Sequence, residues 1–252
     1  MTDTILYSRV GHIAQLVLNN PRRHNSLGRE QLEAIQERLA QAAADEQVRV
    51  LIVTGEGERT FCAGASLQEL SDGDIADDAF QKMTGQLAEM QVPTICAMNG
   101  DVYGGGVELA VSCDFRIGIE GLRMRVPAAA IGLCYPVSGI NRFVRCLGVN
   151  VTKRVLVASE EFQASALLEI GFLDHLVLPQ NLTKFTHEFA QHIAELAPLA
   201  VQSMKALLRQ AETGGIDAEL ARSLQIQCLE SQDIQEGFAA KREKRKPRFS
   251  GH

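Results

Sequence analysis

Two short runs of small residues carry the groups in this chain that are best suited to chemistry. They are residues 61–67 (FCAGASL) and residues 100–110 (GDVYGGGVELA), and each lies between an expected strand and an expected helix. Small residues let a ligand approach the backbone closely, and a helix N-terminus offers unpaired N–H groups. Two such ends that face each other would bind a carbonyl oxygen that becomes an enolate oxygen.

Glu108 is the carboxylate that could use such a site. It lies about one turn into the second expected helix and could move a proton to or from the carbon beside the bound carbonyl. Two alternatives stay open. A glycine triplet also serves to pack a helix tightly on a strand, and Glu108 could be a buried structural carboxylate that pairs with an arginine such as Arg116 or Arg125.

Strands and helices are expected to alternate in the first part of the chain and helices alone in the second. Apolar and β-branched runs predict strands at 13–19, 48–54, 94–98 and 114–119. Apolar residues at helical spacing predict helices at 30–44, 81–90, 107–113, 152–158, 164–170, 183–197, 198–213 and 218–230. Residues 72–78, with four aspartates, are expected to form a solvated loop. The pattern predicts an α/β core followed by a helical C-terminal portion.

Composition and charge narrow the class of protein. The chain has 252 residues, 46% of them hydrophobic, and a net charge of −6, which is unfavourable for general binding to nucleic acid or to a membrane surface. Six scattered cysteines form no CxxC pair, so reduced thiols are expected. The N-terminus shows no secretory signal and the chain no long apolar run, so a cytoplasmic enzyme is the expectation.

Other common sites find no support in the sequence. Residues 55–60 (GEGERT) follow an expected strand but lack the third glycine of a dinucleotide-binding fingerprint. A phosphate-binding P-loop and a GxSxG nucleophile are missing from the sequence, and the six histidines have no metal-ligand spacing. Neither a metal nor a redox cofactor is therefore expected.

Four ordered segments, at 20–27, 61–67, 97–114 and 236–249, resemble the crotonase (enoyl-CoA hydratase/isomerase) family. The resemblance spans nearly the whole chain, and the protein is identified as a member. It implies an α/β fold, a crotonase-like superhelix of ββα units with a C-terminal helical region. It also implies a core at 1–195 that binds acyl-CoA, a helical oligomerisation region at 196–252, and a homotrimer or homohexamer.

The same resemblance implies roles for particular residues. Glu108 would be the catalytic acid/base, and the N–H groups of Ala63 and Gly105 would form the oxyanion hole. Coenzyme A would arrive as part of the substrate, with no separate cofactor. The residues implied in binding it are Arg22, Arg23, Ala63, Gly64, Ala65, Ser66, Leu67 and Gly105. The basic tail at 241–248 would either reach its 3′-phosphate, from the same or an adjacent subunit, or be a solvated end.

The chain departs from the family at the second catalytic position. Ala128 occupies the place of the second glutamate of the hydratases, and Pro136 lies where a backbone N–H would hold the attacking water. Hydration would therefore lack a general acid–base contribution of roughly 10²–10⁴-fold.

Four reactions or roles remain open after that loss. They are double-bond isomerisation with Glu108 as the base, decarboxylation of a malonyl-type thioester, thioester hydrolysis, and binding of acyl-CoA without catalysis. Tyr135 or Asp101 could be recruited to the acyl pocket, but the sequence does not place them. It does not specify the acyl chain either.

Overall fold

The computed structural model describes residues 3–73 and 78–252. Within these ranges the strands fall into a six-stranded sheet, in the order β1-β2-β3-β5-β7-β10, and a four-stranded sheet, in the order β4-β6-β8-β9. The strands are β1 (Ile5–Val10), β2 (Ile13–Leu18), β3 (Val50–Gly55), β4 (Thr60–Cys62), β5 (Thr94–Met98), β6 (Asp101–Tyr103), β7 (Phe115–Ile119), β8 (Arg123–Arg125), β9 (Phe162–Gln163) and β10 (His175–Val177).

The described helices cover the sheets and then continue alone to the C-terminus. They are α1 (Arg29–Ala44), α2 (Leu67–Asp72), α3 (Ala79–Ala88), α4 (Gly105–Val111), α5 (Val137–Thr152), α6 (Ala164–Glu169), α7 (Leu182–Ala194), α8 (Pro198–Glu212), α9 (Ala218–Glu230) and α10 (Gln232–Glu243). The α/β core and the helical C-terminal portion that the sequence predicts are both confirmed.

A unit of two strands and a following helix repeats along the chain. The units are β3–β4 with α2 and α3, β5–β6 with α4, and β7–β8 with α5. In each unit the first strand joins the six-stranded sheet and the second joins the four-stranded sheet. This repetition is the ββα superhelix implied by the family resemblance, and it brings successive strand-to-helix junctions close together.

The large sheet is parallel from β2 to β10, and only the β1–β2 pair is antiparallel within it. All five residues of β5 are buried, as expected for a central strand of a parallel sheet that is covered on both faces. Its prediction at 94–98 is confirmed to the residue, and the helix predicted at 218–230 coincides with α9.

The helices α5 and α10 and the strand β1 were not predicted from the sequence, and the segment at 152–158 was predicted wrongly. The sequence predicts a separate helix there, whereas the structure has α5 ending at Thr152 and a five-residue π-helix at Lys153–Val157. Gly148, with φ 70° inside α5, interrupts the regular backbone. A residue pattern with helical spacing cannot reveal such a change in hydrogen-bond pattern.

Residues 74–77, within the predicted aspartate-rich loop at 72–78, lie outside the described residues. All six cysteines are unpaired, in agreement with the expectation of reduced thiols. In the described part of the chain, no helix is both long and apolar enough to cross a lipid bilayer.

Candidate active site

Two segments pack backbone against backbone in this part of the fold. They are residues 62–66, from the end of β4 onward, and residues 103–105, where β6 leads into α4. The contact is made at Gly64, which has a positive φ of 88°. A Cβ atom added at Gly64 would lie 2.6 Å from the Gly105 nitrogen and 2.9 Å from the Tyr103 carbonyl oxygen. Only glycine fits such an approach without displacing backbone. The two segments selected from the sequence are therefore neighbours.

The N–H groups at this contact differ in what they already bind. The Ala63 N–H donates to the carbonyl of His24 at 3.0 Å. The prediction of Ala63 as an oxyanion donor therefore needs correction, because this N–H is already used inside the chain. The next N–H in the segment that faces Gly105 is that of Ala65, which lies 3.3 Å from a Cβ added at Gly105.

Ala65 and Gly105 carry N–H groups that are not used within residues 3–73 and 78–252. Ala65 forms a parallel bridge with Leu27, but the bridge uses the Leu27 and Ser66 N–H groups and leaves that of Ala65 without an acceptor there. Gly105 is the first residue of α4, so its N–H has no partner in the helix. The structure thus brings two such donors together beside Gly64.

Glu108 follows three residues after Gly105 on α4 and is almost completely buried, with 1% of its side chain exposed. Its Oε1 accepts a hydrogen bond from Arg142 Nη1 at 2.7 Å and one from Thr84 Oγ1 at 3.2 Å. Thr84 lies on α3 and Arg142 on α5, so three helices meet at this carboxylate. A buried carboxylate with a cationic partner satisfies the rule that buried charges are paired.

Burial and these partners act on the pKa of Glu108 in opposite directions. Desolvation raises the pKa, while the charge of Arg142 and hydrogen bonding from Tyr135, Thr84 and Arg142 lower it, and burial dominates. The pKa of Tyr135 is raised well above its usual value by burial and then by the neighbouring Glu108 charge. Glu108 is therefore a stronger base than an exposed glutamate.

Arg142 was not among the arginines considered as partners of Glu108 from the sequence. Arg116 instead reaches Asp174, 3.4 Å away, and the carbonyl of Phe172. Arg125 donates to the carbonyl of Ser159 at 3.0 Å. The idea that Glu108 pairs with an arginine is confirmed, but with a residue 34 positions along the chain. Helical periodicity gave no signal for this pairing.

Of the two residues left unplaced by the sequence, only Tyr135 is found to interact with Glu108. Asp101 accepts hydrogen bonds from Arg123 Nη2 at 2.6 Å and from the Tyr103 hydroxyl at 3.0 Å. Tyr135 precedes α5, and a Cβ added at Gly139 would lie 2.6 Å from its Cε1 and 3.1 Å from Glu108 Oε2.

Ala128 and Pro136 occupy the place at which the sequence departs from the family's second catalytic position. Ala128 is buried and precedes a short 3-10 helix at Ala129–Ile131, and Pro136 caps the start of α5 without an N–H group. The Ala128 side chain cannot transfer a proton, and Pro136 has no backbone N–H with which to hold water.

The residues implied in coenzyme A binding fall into two segments held side by side. Arg22 and Arg23 are exposed in the 3-10 helix Pro21–Arg23, and the Leu27–Ala65 bridge joins that segment to residues 63–67. Asn25 joins the first segment to residues 56–60, because its side chain donates to the carbonyls of Glu56 and Thr60.

The remaining residues of that group differ in exposure. Ser66 is buried, whereas Leu67 is 63% exposed. Part of the basic tail is neutralised locally, since Arg245 pairs with Glu236 and Glu243. Its contact with a 3′-phosphate stays a prediction. In the described ranges, His, Cys, Asp and Glu side chains form no group of three or more suited to a metal ion.

Comparison with known proteins agrees with this fold and shows the family. A family model described as enoyl-CoA hydratase/isomerase matches residues 9–252, and the chain belongs to this family. It is 31% identical to 2,3-dehydroadipyl-CoA hydratase of Escherichia coli K12, over 98% of each chain. It is 33% identical to the mouse protein named enoyl-CoA hydratase domain-containing protein 2, mitochondrial, over 95% of this chain and 84% of the relative.

Solved structures give the same result. An enoyl-CoA hydratase from Bacillus anthracis superposes with a TM-score of 0.90 at 29% identity, covering 99% of this chain and all of the other. A structure from Magnetospirillum magneticum, titled enoyl-CoA hydratase/carnithine racemase, has a TM-score of 0.94 at 26% identity. It covers 100% of this chain and 97% of the other.

Proposed function

We propose that this protein acts on an acyl-CoA thioester by stabilising its enolate. The observation that carries the proposal is the meeting of the Ala65 and Gly105 N–H groups beside Gly64, with buried Glu108 on the same helix as Gly105. In this proposal the thioester oxygen accepts hydrogen bonds from both N–H groups. Preorganised donors of this kind stabilise negative charge where it develops in the transition state.

Glu108 is proposed to be the base that forms the enolate. Stabilising the oxyanion makes the neighbouring C–H more acidic, and an ionised Glu108 would accept that proton. Burial raises the pKa of Glu108 and so strengthens it as a base, while the charge of Arg142 favours its ionised form. The two effects together suit proton abstraction near neutral pH.

Among enolate reactions, we favour double-bond isomerisation, in which one base removes a proton and returns it at another carbon. Two of the relatives above are named hydratases, and those names favour addition of water. Ala128 and Pro136 argue against it, because Ala128 supplies no second acid/base and Pro136 supplies no backbone donor for water. Decarboxylation and thioester hydrolysis would use the same N–H pair but would not need Glu108 as the base.

The ion pair between Arg142 and Glu108 supports a second candidate, an acyl-CoA-binding protein without catalysis. At 2.7 Å, with the carboxylate buried, this pair has the geometry of a structural contact between α4 and α5. A protein of that kind would bind coenzyme A thioesters and leave every acyl group unchanged.

A panel of 2-enoyl, 3-enoyl and malonyl-type CoA thioesters would separate these functions. We expect wild-type protein to convert a 3-enoyl into a 2-enoyl thioester. Chromatography and mass spectrometry would detect this conversion. Glu108→Gln should lower the rate by about 10²–10⁴-fold. The control Glu160→Gln, which alters an exposed carboxylate paired with Arg154, should leave the rate unchanged.

The pH profile provides a further check on Glu108. Because its pKa is raised, the rate should fall on the acid side at a pH above the usual titration range of a glutamate. Conversion that survives in Glu108→Gln would exclude Glu108 as the base. Thioesters that bind but all remain unchanged with wild-type protein would favour the binding protein.

A further inference from the structure

The ring of Tyr135 lies beside Glu108, on the other side of Gly139. This ring packs edge-on against Phe143, with the centroids 5.6 Å apart and an interplanar angle of 83°. A Cβ at Gly139 would lie 2.6 Å from the Tyr135 ring and 3.1 Å from Glu108 Oε2. The absence of a side chain at Gly139 therefore leaves room for Tyr135 beside Glu108. The ring is thus held by packing on the Oε2 side of Glu108.

Each of these two groups alters the pKa of the other. Hydrogen bonding from Tyr135 helps to lower the pKa of Glu108, and the Glu108 charge helps to raise that of Tyr135. The consistent arrangement has a protonated Tyr135 hydroxyl that donates to an ionised Glu108 carboxylate. A proton can then pass between the two oxygens.

The other partners of Glu108 are less suited to exchanging a proton. Arg142 carries a guanidinium, which donates hydrogen bonds but does not release a proton in proteins. The Thr84 hydroxyl also lies 3.1 Å from the carbonyl of Phe80, to which it can donate. Among the described residues around Glu108, Tyr135 combines a hydroxyl that can give and take a proton with a position on the side of Oε2, away from Arg142.

We propose that Tyr135 is a second proton-transfer residue of this site, which passes the proton between Glu108 and the distal carbon of an enoyl thioester. The inference rests on the proposed function and deepens it, because it selects 3-enoyl thioesters as the substrate class. In this role Tyr135 supplies the second proton-transfer group, which is missing because residue 128 is alanine.

The proton inventory of this reaction closes. Glu108 takes a proton from C2 of the 3-enoyl thioester, and the C–H electron pair becomes the dienolate, whose oxygen lies at the Ala65 and Gly105 N–H groups. The dienolate electrons then form a bond at C4 to the Tyr135 hydroxyl proton, leaving the double bond between C2 and C3. The phenolate takes the proton held by Glu108, so both residues return to their starting forms.

The test uses full-length protein and 3-hexenoyl-CoA that carries deuterium at C2. In Tyr135→Phe, which keeps the ring packing, we expect formation of the 2-enoyl product to fall by about 10²–10⁴-fold. Removal of deuterium from C2 should continue, so recovered substrate loses label to water faster than product appears. The primary isotope effect of C2 deuterium on product formation should shrink, because delivery at C4 becomes limiting.

Tyr7→Phe is the matched control. The Tyr7 hydroxyl is buried on β1 without a partner in the described residues, so its removal should leave product formation and label loss unchanged. Circular dichroism and thermal unfolding of both variants would verify that they fold.

Three results would overturn the proton-transfer role of Tyr135. The first is a rate of product formation in Tyr135→Phe that equals that of the wild-type protein. The second is an equal fall in product formation and label loss with an unchanged isotope effect, as a purely structural role requires. Either leaves the proposed function standing. In the third, wild-type protein neither isomerises the substrate nor removes its label, and then the proposed function fails as well.

Discussion

The ββα core and the C-terminal helices differ in how far their large apolar side chains are buried. The core buries them within the chain, so β5 and most of β3 are inaccessible to solvent. In α8 the buried residue is Ser203, and α9 has none. Leu208, Leu229 and Phe238 are each about two-thirds exposed. The core is therefore completed by its own sequence, whereas the C-terminal helices keep apolar surface available for a partner.

The candidate active site belongs to the self-sufficient side of this comparison. Its N–H groups come from the segment after β4 and from the start of α4, and the partners of its carboxylate come from α3 and α5. Lys205 makes one of the contacts between the C-terminal helices and that core. Lys205 on α8 bonds Asp114 at 2.5 Å and the Val92 carbonyl at 2.8 Å.

The largest effect is expected from Gly64→Ala, because it attacks the core and the site together. The new Cβ would meet the Gly105 nitrogen at 2.6 Å in a backbone with φ 88°. Displacing one oxyanion donor should lower the rate by about 10²–10³-fold, and the strained backbone should cost about 1–3 kcal/mol of unfolding free energy. Steady-state kinetics and urea denaturation measure the two effects.

Gly121→Ala is the control for backbone strain. Its φ of 85° is similar, but no other described atom lies within 4 Å of the added Cβ. It should lose stability without losing activity. Equal kinetics in the two variants would mean that the approach of Gly64 to Gly105 does not matter for the reaction.

A smaller effect is expected from Lys205→Met, which tests the junction between the two regions. The ammonium group is largely buried, with 13% of the side chain exposed, and its loss removes charged hydrogen bonds to Asp114 and Val92. We expect a decrease of about 1–2 kcal/mol in the free energy of unfolding, measured by urea denaturation. Lys184→Met, whose ammonium is 3.9 Å from Glu188 and 78% exposed, should change nothing. The same loss in both variants would refute a specific junction.

The smallest effect on the stability of a single chain is expected from Leu208→Ser. A side chain that is 67% exposed contributes little, so the unfolding free energy should change by less than about 0.5 kcal/mol. If the homotrimer or homohexamer predicted from the sequence uses α8, sedimentation should show a smaller assembly for this variant. Val10→Ser, at a position 81% exposed on β1, should sediment like wild-type protein. An unchanged assembly in Leu208→Ser would place the interface elsewhere.

Regular elements with strong local patterns could be predicted from the sequence. Thr94–Met98 is a continuous apolar run between turns, and Ala218–Glu230 begins after Asp217, whose side chain caps two backbone N–H groups. Strands of three residues or fewer, such as β4, β6 and β9, were not predicted. They are too short to show an alternating pattern, and their pairing is decided by neighbours far along the chain.

The same division applies to the site, and it explains which parts of it needed the structure. The two glycine-rich segments, the carboxylate of Glu108 and its loss of a partner at Ala128 are properties of residue type, so the sequence alone determined them. Tertiary structure decided that the Ala63 N–H bonds the His24 carbonyl while the Ala65 N–H has no acceptor among the described residues, and that Arg142 and Tyr135 lie beside Glu108. These contacts join segments tens of residues apart, and their register follows from how the ββα units stack, which no local pattern encodes.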